Sequence, residues 1–157
     1  MTAELIARHQ SAVVFCRTKH GADRLARQLG QAGVRAVPMH GDRSQAQRDR
    51  ALRAFASGAA QALVATDVAA RGIHVDNVGC VVHFDMAGDH KDYIHRSGRT
   101  GRAGLAGVVI SFVTDEDVDK TRRLRAALGQ LDVPNRRDDG RRRGGTPRPA
   151  RRRRQAS

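Results

Sequence analysis

Residues 95 to 102, His95-Arg96-Ser97-Gly98-Arg99-Thr100-Gly101-Arg102, gather three arginines and one histidine within eight positions. Like charges this close repel one another, so the cluster is costly unless an anion answers it. Arginine carries a planar fork of N–H donors that matches carboxylate and phosphate oxygens. Arg99 and Arg102 are three apart, so on a helical or 3₁₀ turn they project to one side, with His95 a further turn back. Two forks then converge on one small anion. Gly98 and Gly101 allow close backbone approach or a turn ending, although glycine is also ordinary loop punctuation. The plainer reading of the whole segment is a solvated basic loop.

Three further segments carry candidate chemistry. In Ala65-Thr66-Asp67-Val68-Ala69-Ala70-Arg71-Gly72-Ile73, which follows an apolar run, Thr66 can offer a hydroxyl and the start of a row of backbone N–H groups to a phosphate. Thr-Asp is equally a helix N-cap, and both readings stand. Ser44-Gln45-Ala46-Gln47-Arg48 reads first as a helix start capped by Ser44, with Gln45 and Arg48 on a shared face. Val113-Thr114-Asp115-Glu116 imitates a buried strand ending in metal-binding acids. However, Thr114 and Asp117 have capping-box spacing, and three acids in a first turn suit the helix dipole, so a helix start is expected there. Of the seven histidines only His83, His90 and His95 are close in sequence, without zinc-site spacing, and no metal site is expected.

The elements that must position these residues follow a clear rhythm. Short β-branched runs at residues 12–16, 34–39, 62–65, 80–84 and 107–113 alternate with amphipathic stretches at 21–32, 44–57 and 115–128. That pattern predicts an α/β fold: a mostly parallel sheet with helices on both faces. The continuous apolar character of Val13-Val14-Phe15 and Val108-Val109-Ile110 predicts strands buried on both sides. Leu25, Leu29 and Ala32, at i, i+4 and i+7, form a helical stripe facing the sheet. In such sheets ligand chemistry collects beyond the carboxyl ends of the strands. Arg17-Thr18, His40-Gly41-Asp42, Thr66-Asp67 and Asp85 all fall at those ends, which places one functional rim on the fold.

The chain is 157 residues long, enough for one α/β domain but not for two and a tail. Its net charge of +13 comes overwhelmingly from arginine, 26 of the 29 cationic residues, which points to a polyanionic partner. Residues 134–157 contribute +8 and residues 1–133 only +5. Past Pro134 the apolar pattern stops, so 1–133 is read as the folded domain and 134–157 as an Arg-rich, disordered tail. Cys16 and Cys80 sit inside apolar runs without CxxC spacing, which suggests neither a disulfide nor zinc and fits a reducing, cytoplasmic setting. No apolar stretch reaches the length of a membrane span and residues 1–10 lack a signal core, so neither membrane nor export is expected.

Taken in order, VVFCRT, HGDRSQAQR, ATDVAARGI and HRSGRTGR resemble motifs IV, IVa, V and VI of the DEAD-box RNA helicases, over essentially residues 11–133. That resemblance implies a three-layer RecA-like domain, of the P-loop NTPase type, that closes on a sister N-terminal RecA-like domain, in cis or in trans. ATP would lie between the two and single-stranded RNA or a short duplex across both. It further implies that Arg99 and Arg102 are fingers reaching the γ-phosphate and that His95 couples to the sister domain. Thr18, Gly21, Gln45, Arg48 and Thr66 would hold RNA phosphates or the loops that do so. Arg71, His95 and Arg96 would meet the sister domain on closure, and Gly72 and Asp76 would lie beside the nucleotide. Phosphoryl transfer needs charge stabilisation at the γ-phosphate more than covalent chemistry, which is work two arginines can do.

The sequence departs from the family pattern at two points. His74 stands where an acidic residue usually contacts the ribose, with Asp76 as the candidate stand-in, and Ala87 replaces a frequent proline. There is also no GxxxxGK[ST] and no DEAD sequence. The expectation is a chain inactive by itself that completes an ATPase site, with Mg²⁺ held mainly by the other half. The competing expectation is an ATP-independent RNA-binding or annealing module working through the basic body and tail.

Overall fold

The computed structural model describes residues 2–9, 11–71, 75, 78–102, 104 and 106–129. The expected boundary at residue 133 and the basic tail lie outside these. The chain opens with α1 (Thr2–His9) and continues β1 (Ala12–Phe15), α2 (Lys19–Gln31), β2 (Ala36–Met39), α3 (Gln45–Ala56), β3 (Ala62–Ala65) and α4 (Asp67–Ala70). It then runs β4 (Cys80–His83), α5 (His90–Ser97), β5 (Val108–Ser111), a 3₁₀ turn (Asp115–Asp117) and α6 (Val118–Ala127). The five strands form one sheet in the order β2-β3-β1-β4-β5, and every pairing is parallel.

Successive side chains of a strand point to opposite faces, and this alternation divides the core in two. Ala12, Val14, Cys16, Ala62, Val64, Cys80 and Val82 pack with Ile6 of α1 and with Ala22, Leu25, Ala26 and Leu29 of α2. Val13, Phe15, Leu63, Ala65 and Val81 pack on the other face with Ala51 and Phe55 of α3 and Ala69 and Ala70 of α4. β1, β3 and β4 are buried at every position, as continuous apolar runs require of central parallel strands, but β5, expected to be buried likewise, lies at the sheet edge with Val108 exposed. The helix stripe expected through Ala32 ends earlier, because Ala32 is the exposed C-cap of α2 and Ala22 and Ala26 complete the buried face instead. Both expected helix starts hold. Ser44 accepts from the Gln47 N–H while the Gln47 side chain accepts from the Ser44 N–H, and the Asp117 carboxylate accepts from the Thr114 hydroxyl at 2.6 Å.

Parallel strands put all their carboxyl ends on one edge, so the segments after β1, β2, β3 and β4 meet there. Both cysteines lie in the centre of the sheet with no exposure. Burial, with Asp85 nearby, pushes the Cys16 thiol up to about 12, and burial pushes Cys80 up to about 11. Neither thiol can ionise or meet a reagent without opening the sheet. Thiol labelling at pH 8 is therefore expected to proceed only at the rate of unfolding and to accelerate with urea in step with loss of helical circular dichroism. Rapid labelling of the native chain would contradict this burial.

Candidate functional site at the strand ends

The rim is anchored by Arg96, whose residue exposure is only 3%. A buried guanidinium must be paired, and this one is satisfied from three directions. Its Nε and Nη2 donate to the two carboxylate oxygens of Asp67 at 2.6 Å each, a bidentate fork that joins α5 to α4. Nη1 donates to the Asp85 carbonyl at 2.8 Å, joining α5 to the end of β4. The guanidinium carbon lies 5.1 Å from the Phe15 ring centroid, over the end of β1. Arg96, expected on the interdomain face, is thus an internal tether instead. Its side chain is spent inside the domain.

Beside this tether a small cleft is lined by Phe15, Asp67, Ala70, Arg71, Asp92, His95, Arg96 and Arg99. His95 is exposed on α5, and Arg71, also exposed, caps the end of α4 and donates to Asp92 at 3.1 Å. α5 ends at Ser97, with Gly98 as its cap, so Arg99 and Arg102 do not ride on one helical turn as their spacing suggested. A loop carries them, turning at Gly101 with φ of 68°. Arg99 is half-buried and donates to the Ala70 carbonyl at 3.4 Å, while exposed Arg102 donates through Nε to the Gly98 carbonyl. Gly72, His74 and Asp76 lie outside the described residues.

The other rim residues sit on helix starts. Thr18 caps α2, accepting from the Gly21 N–H at 3.0 Å, and a Cβ on Gly21 would stand 2.8 Å from that oxygen, so a larger residue there must shift the Thr18 side chain. Gln45 and Arg48 do meet on the first turn of α3: Arg48 donates to Gln45 at 3.4 Å and Gln45 to Asp49 at 2.8 Å. Arg48 Nε is a buried donor with no hydrogen-bond partner. Thr66 occupies the N-cap position of α4 in extended conformation, yet its side chain makes no capping bond. Its N–H is taken by the Met39 carbonyl at 3.3 Å, which removes it from the row of amides the sequence suggested.

Two histidines went unassigned by the motif reading. His40 is buried with Nε2 2.9 Å from Asp23, which Arg43 also grips at 2.5 Å. Burial alone would raise Asp23, but the hydrogen bonds from His40 and Arg43 hold its carboxyl below the usual range. His83, with no exposure, lies beneath α5, its ring 4.7 Å from Tyr93 and 6.1 Å from Phe15. Nε2 meets the Ser97 hydroxyl at 3.3 Å and Nδ1 has no partner. Its position inside the apolar run Val81-Val82-His83-Phe84 was the available signal. Among the described residues no group of three His, Cys, Asp or Glu side chains could hold a metal, and no described helix is long and apolar enough to cross a membrane.

These contacts set two expectations. Arg96→Ala strands the Asp67 carboxylate and empties a buried site, so urea denaturation should show a loss of about 3 kcal/mol, with Arg96→Lys recovering only part of it. Burial, then the charge of Arg96, holds the His83 imidazole down at about 4 from an ordinary 6.5. Between those values the unfolded chain binds a proton that the folded chain refuses, so stability falls as pH drops from 6.5 to 4. The contribution of His83 across that window is about 3 kcal/mol. Urea midpoints at pH 7 and pH 4.5 should therefore separate less in His83→Gln than in the parent, and equal separations would exclude His83 as the titrating group.

Comparisons with known proteins place this geometry. Residues 1–104 match the family model described as helicase conserved C-terminal domain. The ATP-dependent rRNA helicase rrp3 of Aspergillus oryzae is 50% identical over 121 residues, 77% of this chain but 26% of that protein. The chain thus spans about a quarter of the curated relatives it matches. Among solved structures, the C-terminal domain of the DEAD-box protein Dbp5 superposes with a TM-score of 0.74 at 34% identity, covering 83% of this chain and 78% of that one. Dbp5 of S. cerevisiae bound to RNA and ADP BeF3 gives 0.73 at 34% identity, covering 83% of this chain and 36% of that one. The parallel sheet with helices on both faces is accordingly a RecA-like fold, and the chain belongs to the helicase C-terminal domain family, among the DEAD-box ATP-dependent RNA helicases.

Proposed function

We propose that this chain is the C-terminal half of an ATP-dependent RNA helicase: it grips the RNA backbone along its rim and delivers Arg99 and Arg102 to ATP at a cleft shared with an N-terminal RecA-like half. The observation that carries the reading is the placement of the Arg99–Arg102 loop against α4, where Arg99 donates to the Ala70 carbonyl, on the same strand-end rim as Thr18 and Thr66. Relatives named as ATP-dependent rRNA helicases, and a fold neighbour bound to RNA and ADP BeF3, support both ligands.

The residues suit ATP. The cleft sets Arg71, His95 and Arg99 around Phe15 and Ala70, with Asp92 and Asp67 already paired to Arg71 and Arg96, and a triphosphate would approach it from the Arg99 side. Arg99 and Arg102 would donate to phosphate oxygens, a charge-assisted partner stronger than a peptide carbonyl. Arg71 and His95, both exposed, would meet the sister half, with Gly72 and Asp76 near the nucleotide and Mg²⁺ held mainly across the cleft. On the RNA side Thr18, Gln45 and Arg48 would offer a hydroxyl, an amide and a guanidinium, groups that read phosphate and not base, so binding would tolerate sequence. Buried free thiols fit work in a reducing cytoplasm.

The charge of +13 favours a second reading, ATP-independent RNA capture or annealing. One experiment separates the two. The chain joined to the N-terminal half of an rrp3-type relative should hydrolyse ATP in the presence of RNA, and Arg102→Ala should reduce kcat by about 10³-fold or more, the scale of an arginine finger, while leaving the fold intact. Turnover indifferent to Arg102, with RNA binding abolished by deleting residues 136–157, would instead establish the capture module.

A further inference from the structure

The Arg99–Arg102 loop is seated by contacts that no motif reading assigned, and we infer that Thr100 and Gly107 are positioning residues for the two arginines; this rests on the finger role proposed above. Thr100 lies between them in sequence, is only 7% exposed, and donates its hydroxyl to the Val78 carbonyl at the entry to β4. The bond is reciprocated across the same pair of segments, since the Val78 N–H donates to the Arg99 carbonyl at 3.2 Å. The loop is thereby tied, through the Arg99 carbonyl and the Thr100 hydroxyl, to the segment that leads into β4.

Gly107, which leads into β5, closes the seat from the other side. A Cβ built on it would overlap the Gly101 nitrogen and the Thr100 hydroxyl and stand 2.9 Å from the Gly101 Cα. Most of these neighbours are backbone and cannot swing aside as a side chain tip would. Its φ is not in the left-handed region, so the demand for glycine here is one of space and not of backbone conformation. Any larger residue must push Gly101 away, and with it the start of Arg102. The arginine forks are thus aimed from β4 and β5, the strands behind the loop, while neither Thr100 nor Gly107 needs to touch a nucleotide.

A misplaced catalytic group costs rate before it costs binding. In the joined two-domain enzyme, Thr100→Val, which keeps the shape and removes the donor, should lower kcat for ATP by about 10- to 100-fold with KM for ATP and RNA affinity held within about twofold. Thr100→Ser, which keeps the hydroxyl, should restore most of that loss. Gly107→Ala should lower kcat similarly in a chain that still melts cooperatively, and it carries the test if Thr100→Val fails to fold. Wild-type kcat in a folded Thr100→Val or Gly107→Ala enzyme would overturn the inference, as would a loss confined to KM or left uncorrected by serine. Arg102→Ala measured alongside tells the two readings apart: normal turnover in that variant removes the finger role itself, whereas a crippled Arg102→Ala beside a normal Thr100→Val removes only the seat.

Discussion

The rim depends on one buried charge. Arg96 is held almost entirely out of water, and a guanidinium in that position is tolerable only when every direction it points in is answered. Asp67 answers with two oxygens, Asp85 with its carbonyl, and Phe15 with the face of its ring. Those partners come from α4, the β4 exit and the β1 end, so one side chain fixes the spacing of three strand ends. A hydrophobic residue of the same size could fill the volume, but it could not specify where a carboxylate 29 positions away must stand. The pair thus acts as a registration device, setting the distance between the segment that follows β3 and the helix that leads to Arg99.

Around that device the sheet does ordinary work. Alternation along β1, β3 and β4 sends one set of side chains to α1 and α2 and the other to α3 and α4, so both faces are covered, and the pairing registers bring the strands to an end level with one another. Because all the pairings are parallel, the polar residues that follow each strand have nowhere to go but the same edge. Helix caps then decide which of them remain available. Thr18 and Ser44 are engaged in starting helices, Thr66 leaves its cap unmade, and Arg48 keeps one donor unmatched, so the rim carries both settled and unsettled polar groups.

What could be read from the sequence follows the range over which each signal acts. Strands at 12–15, 62–65 and 80–83 were legible because burial on both faces leaves an unbroken apolar run, and α2, α3 and α6 because caps and periodicity lie within a few residues. α1 and α4 are too short to show a period, and the chemistry of α5 hides its helical start behind charges. Boundaries slipped where a terminal residue was apolar but exposed, as at Ala32. The role of Arg96 was illegible because its meaning lies in Asp67 and Phe15, distant in sequence, and the same holds for His83 beneath Tyr93 and for Gly107 behind Gly101. Motif spacing shows which residues assemble; it does not show which of several arginines turns inward.

That sorting of arginines is the chemical content of the site. Three cations within eight residues would disperse in water, yet here each is given a different degree of commitment. Arg96 is neutralised by a full carboxylate and buried. Arg99 is half-buried and counts the Ala70 carbonyl at 3.4 Å among its contacts, and Arg102 donates to the carbonyl of Gly98 at the surface. Moving Arg96 would leave a carboxylate unanswered inside the domain, whereas Arg99 and Arg102 lie nearer the surface, where an anion can approach them. The domain therefore holds its buried charge where movement would unseat the rim and its more exposed charges where a partner can approach. The same motif supplies structure and reactivity because burial, and not residue type, separates them.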